Sequence, residues 1–157
     1  MTYIEAANPQ GPLTVASGLV SADATVTVQA LFRESAAGGN YYEAGVPSSG
    51  GGSGFAVPFD ATTFPATGAP LYTGFAIANL DPANAAALTC VATDQAGTVI
   101  PAAVTIPVLP PLGHYANYIF PALTGNRGTI NCVSTTTVAA LALRFLGAAF
   151  SSLPVLY

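Results

Sequence analysis

The chain has 157 residues, of which seven are acidic and three basic, with a formal net charge of −4 and no lysine. Its 52% hydrophobic and 6% charged composition lies far from the roughly 25% charge of ordinary soluble domains, so its exterior must be Ser, Thr, Asn and backbone, or be covered by other molecules. Three scattered arginines (Arg33, Arg127 and Arg144) form no basic stripe for nucleic acid, and Gly, Pro, Ser, Thr or Asn interrupts every apolar run before the roughly 18–20 residues of a membrane-spanning helix.

The N-terminal Met1-Thr2-Tyr3-Ile4-Glu5 has neither a basic region nor a continuous apolar stretch, so it does not read as a signal peptide. Residues 1–20 read as an extended arm. It opens with Tyr3 and Ile4 and ends with the strand-like Leu13-Thr14-Val15, while Pro9, Gly11 and Pro12 hold it out of its own sheet. The competing reading makes residues 13–20 the first strand of their own sandwich.

Beyond the arm, short β-rich runs alternate with turn residues. Val26, Val28 and Ala30 alternate with Thr25, Thr27 and Gln29, and Leu31-Phe32-Arg33 extend that strand. Ser48-Ser49-Gly50-Gly51-Gly52-Ser53-Gly54 reads as a flexible loop over 48–54. Because the 47 residues before it are too few for a core, residues 1–157 are taken as one domain. Tyr72 to Asn79 and Leu88 to Thr93 read as strands. Asp94-Gln95-Ala96-Gly97 is a tight turn leading to a returning strand from Thr98 to Ile106. His114 to Phe120 is extended and aromatic. Residues 128–134 and 138–145 read as a strand pair, closed by 151–156. Helix propensity competes at Val138 to Leu146, and the strand is chosen. About ten short strands at this spacing predict an all-β, antiparallel, Ig-like sandwich.

Cys90 and Cys132 are expected to form one disulfide in an oxidising compartment. Leu88 and Ile130 share their faces, so both sulfurs should point into the core. The bridge would close a loop of about 43 residues, worth roughly 4 kcal/mol at most.

A faint internal echo links Gly18 to Ser21, Thr27 to Arg33 and Glu43 to Pro47 with Gly128 to Ile130, Val138 to Arg144 and Ser152 to Val155. Phe32-Arg33, Glu43-Ala44-Gly45-Val46-Pro47, Phe59-Asp60-Ala61-Thr62, Thr73 to Asn79, Gly113-His114, Leu143-Arg144-Phe145 and Phe150 to Val155 occur in a characteristic order. In this order the chain resembles an uncharacterised β-sandwich module of large exported bacterial proteins, often found in tandem. The resemblance covers residues 17–156 and implies an exported, Ig-like module with no established activity. The chain departs from it in a short N-terminal half and in its two cysteines.

No catalytic constellation is legible. His114 is the sole histidine, and no nucleophile elbow accompanies it. Glu34 with Glu43 and Asp60 with Asp81 are the only carboxylate pairs worth weighing for glycoside hydrolysis. Asp60, Asp81 and Asp94 flank turns, where they serve either calcium or their own backbone. Tyr41-Tyr42 and Tyr115 with Tyr118 are candidate sugar-facing rings, and Thr62-Thr63 and Thr135-Thr136-Thr137 are candidates for O-linked glycan. The chain is therefore expected to be no enzyme and to need no cofactor or metal. It reads as an extracellular or cell-surface structural subunit that self-associates into a homopolymer, a filament or surface layer, by strand exchange. The alternative is a carbohydrate- or protein-binding module of a larger bacterial surface protein.

Overall fold

The computed structural model describes residues 17–35, 39, 41–118 and 120–157. They contain nine strands: β1 (Gln29–Ser35), β2 (Tyr41–Pro47), β3 (Gly52–Asp60), β4 (Leu71–Asn79), β5 (Leu88–Asp94), β6 (Val99–Ile100), β7 (His114–Asn117), β8 (Arg127–Leu146) and β9 (Ala149–Leu153). Every pairing between them is antiparallel. The expected all-β sandwich with one disulfide is what the chain forms. Among the described residues, no helix is long and apolar enough to cross a membrane.

The 20-residue β8 organises the molecule. Its first half lies between β3 and β5 and its second half between β4 and β9, with β6 beyond β5 and β7 beyond β4. One strand thus serves both layers, and it changes layer at Thr135-Thr136-Thr137. There the Thr135 N–H donates to the Ala87 carbonyl (3.1 Å) and the Leu80 N–H to that of Thr137 (3.0 Å). The register with β3 jumps from Gly54 opposite Val133 to Gly52 opposite Val138. Strands that pass between sheets do so through such irregularities.

The expected break between strands at 128–134 and 138–145 does not occur. Ile130, Cys132, Val138, Ala140 and Ala142 are buried, with Ser134 and Thr136 half-buried between them. The two-residue period therefore runs through the β-branched threonines unbroken. Pairing with β4 overrides the local helix propensity of residues 138–146. Leu141, Leu143 and Phe145 share a face, as expected, but it is the outer one; alanines point into the core.

The core is one cluster drawn from both layers. It joins Phe55, Val57 and Phe59 of β3, Phe75 and Ile77 of β4, Ala92 of β5 and the inward residues of β8. Phe75 stacks on Phe120, with ring centroids 4.9 Å apart. Burial of such side chains contributes about 1.5–3 kcal/mol each.

Three boundaries differ from expectation. The returning strand stops after Ile100, because Pro101 offers no N–H and Ala102 takes a φ of 49°. Residues beyond it enter the core without a ladder, through Ala103, Val104 and Leu109. The expected loop 48–54 is shorter, since Gly52, Ser53 and Gly54 already belong to β3. Gly51 makes the turn into it, with a φ of +75° and no space for a Cβ beside the Val138 carbonyl. The strand expected from Thr25 begins only at Gln29; residues 17–28 carry no strand.

Candidate functional site

Cys90 and Cys132 form the disulfide. They are direct cross-strand partners on β5 and β8, with Cα atoms 4.1 Å apart. The bridge joins neighbouring strands of one layer, whereas antibody domains link facing sheets. Cys132 is buried in the core and Cys90 packs against it, as the alternation with Ile130 and Leu88 indicates.

The acidic residues serve their own turns. Asp60 accepts from the Thr62 N–H and hydroxyl, and Asp94 from the N–H groups of Ala96 and Thr98 (2.8 Å each). Asp81 accepts from the N–H groups of Ala83 (2.8 Å) and Asn84 (2.9 Å) and from the Asn84 side chain. Among the described residues, no three His, Cys, Asp or Glu side chains gather as a metal site. Neither carboxylate pair converges. Asp60 and Asp81 flank opposite ends of β4, while Glu34 and Glu43 fall on opposite faces of the β1–β2 hairpin. Asp60, Asp94 and Arg127 do meet around an open depression of about 480 Å3.

The Ala83 and Asn84 N–H groups hold the Asp81 carboxyl below its ordinary value of 3.8. A depressed folded-state pKa contributes stability above the ordinary value, lost as pH falls through the lower one. The 81–84 turn should therefore loosen below pH 3.8. D81N should lose less stability than the parent chain between neutral pH and that range, read by urea unfolding at each pH. Equal losses would remove Asp81 from the acid response.

The candidate sugar-facing tyrosines are not brought together. Tyr41 and Tyr42 point to opposite faces of β2, and Tyr115 packs against the core while Tyr118 lies on the outer face. The structure instead assembles a row that the sequence does not reveal. Tyr72, Tyr118, Phe145 and Phe150, in that order, come from four neighbouring segments and pack at successive centroid distances of 6.3, 5.6 and 6.1 Å. Their planes are inclined by 86°, 47° and 41°, so they form a ridge and not a flat platform. The adjoining cleft, lined by Leu71, Tyr72, Phe120 and Leu123, holds about 90 Å3, well below the roughly 300–1,000 Å3 of small-molecule sites.

Tyr3, Ile4, Leu13 and Val15 lie outside the described residues. The segment that follows, 17–28, is almost wholly exposed, with Leu19 at 82% and Val20 at 61%. It leads into β1 and β2, which form a separate two-stranded sheet. Arg33 and Glu43 are joined by an ion pair across this hairpin, and the Arg33 guanidinium lies over the Tyr41 ring at 4.7 Å. Leu31 (55%) and Phe32 (40%) remain exposed on it. Of the segments in the internal echo, Gly18 to Ser21 carry no strand, Glu43 to Pro47 lie on β2, and Gly128 to Ile130 and Val138 to Arg144 lie on one continuous strand, β8. Comparison of the chain with protein-family models, curated proteins and solved structures finds no match to any of them.

Proposed function

We propose that the chain is a structural subunit of an extracellular assembly, a filament or surface layer, whose copies are joined by strand exchange. The observation that carries this reading is the hairpin with its lead-in, which presents Leu19, Val20, Val26, Leu31 and Phe32 to solvent. The rest of the molecule offers little charge to compensate. Exposed apolar side chains on both faces of one hairpin fit a surface that is covered in an assembly. The Cys90–Cys132 bridge fits an oxidising compartment. The carboxylates of Asp60, Asp81 and Asp94 bonded to their own turns fit a structural role. The N-terminal arm is the donor, adding main-chain bonds and apolar burial to a neighbour in a head-to-tail contact that propagates.

Deleting residues 1–12 is expected to abolish polymers seen by negative-stain microscopy and to leave the Cys90–Cys132 core folded. Unchanged filaments from the truncated chain would overturn the role of the arm. A second reading, a carbohydrate- or protein-binding module, is favoured by the exposed aromatic ridge. It requires ligand binding that Y72A and Y118A weaken, measured by calorimetry.

A further inference from the structure

Residues 154–157 occupy a receptor shaped for an extended segment. Val138 pairs with both Gly52 of β3 and Asn79 of β4, so β3 lies on the same side of β8 as β9, which joins it only from Ala142 onward. Between them, the Tyr157 hydroxyl accepts from the Ala140 N–H (2.6 Å) and donates to its carbonyl (3.1 Å). A phenol thus stands where a further strand would put its main chain. Leu156 and Ala56 of β3 exchange both backbone bonds (2.7 and 3.0 Å). The Tyr157 ring lies 6.5 Å from that of Phe55. Gly52 makes room for it, since a Cβ there would come within 3.0 Å of the ring. Val155 packs against the core beside these anchors.

This is strand addition on a small scale: main-chain bonds hold the segment and one inward side chain fixes its register. The link back to its own β9 is a hinge. That strand ends at Leu153, and Pro154 has no N–H with which to continue a ladder. Leu156 (65%) and Tyr157 (52%) stay exposed although docked, so lifting residues 154–157 uncovers little apolar area. Every bond to β3 and β8 would re-form if the segment came from a second copy. Exchange of an identical element is a low-cost route to dimers.

We infer that residues 154–157 are exchanged between two copies of the chain. Leu156 of each copy pairs with Ala56 of the other, Tyr157 bonds the other's Ala140, and Pro154 is the hinge. The partner is a second copy because the receptor already fits this segment, position by position. None of Phe55, Ala56, Ala140, Val155, Leu156 and Tyr157 carries a side-chain charge at neutral pH, so the crossed contact opposes no like charges. It is reciprocal and closed. The inference goes beyond the proposed arm contact, since it uses neither residues 1–20 nor the β1–β2 hairpin.

The test mixes two single variants, A56C and L156C, refolds them together at high concentration with the Cys90–Cys132 bond intact, and oxidises them. Directly opposed residues on paired strands lie within disulfide reach, and neither variant alone can join positions 56 and 156. Covalent pairs of one A56C and one L156C chain are expected at least tenfold above the pairs that either variant forms by itself. The unmodified chain gives a readout that needs no variant. In material refolded from isotope-labelled and unlabelled copies, nuclear Overhauser contacts should link Leu156 of one copy to Ala56 of the other. Mixed pairs no more abundant than self-pairs, or Leu156–Ala56 contacts confined to one copy, would overturn the exchange. Filaments whose Leu156–Ala56 contacts stay within each chain would leave the arm reading standing alone. Exchanged dimers that grow no further would refute the filament reading and leave the exchange standing.

Discussion

Replacing Asn79 with leucine is expected to destabilise the fold by roughly 4 kcal/mol, because several buried polar groups lose their partner together. Asn79 is 2% exposed. Its amide donates to the carbonyls of Asn84 (2.8 Å) and Pro110 (3.0 Å), and its oxygen accepts from the Asp81 N–H and the Thr136 hydroxyl (3.0 Å each). One side chain therefore ties the end of β4 to the loop after it, to the proline-rich segment before β7 and to the point where β8 changes layer. Leucine has similar bulk but satisfies none of these groups. Against a typical stability of about 5–15 kcal/mol, the loss should lower the urea midpoint severely with the disulfide intact. A shift worth less than about 1 kcal/mol would show that water replaces the amide without cost.

Gly128 should be nearly as intolerant. It lies opposite Asp94 near the start of β8. A Cβ at this position would overlap the Thr93 carbonyl oxygen and come within 2.9 Å of the Asp94 Cα. Both obstacles are backbone, so the strands must separate or the pair must slip. G128A is expected to cost about 3 kcal/mol, the upper range for overpacking, and to loosen the 94–98 turn. Urea unfolding gives the first and amide exchange at Thr98 the second. Parental values for both would mean that the strands part without penalty.

Where alternation was clean, the fold was legible. Thr89, Val91 and Thr93 against Leu88, Cys90 and Ala92 define β5, and the same pattern placed both sulfurs on the core side. The start of β3 was hidden by its composition: Gly52-Ser53-Gly54 read as part of the 48–54 loop, although Phe55, Val57 and Phe59 just beyond it all point inward. Pro58 is tolerated in β3 because this is an outer strand whose outer edge needs no donor at that position. The unity of β8 was equally hidden, since a change of layer at Thr135 to Thr137 looks in sequence like the end of one strand and the start of another. The aromatic ridge depends on register alone. Nothing in the spacing of Tyr72, Tyr118, Phe145 and Phe150 shows that β4, β8 and β9 align them. The gathering of Asp60, Asp94 and Arg127 has the same origin.

Self-association is the claim on which the proposed role depends, and the sedimentation mass of the native protein over a wide concentration range tests it most directly. The expected result is a mass well above the 15.7 kDa of a single chain, rising with concentration, from material that carries no modification. A single unmodified 15.7 kDa species that persists at high concentration would contradict it.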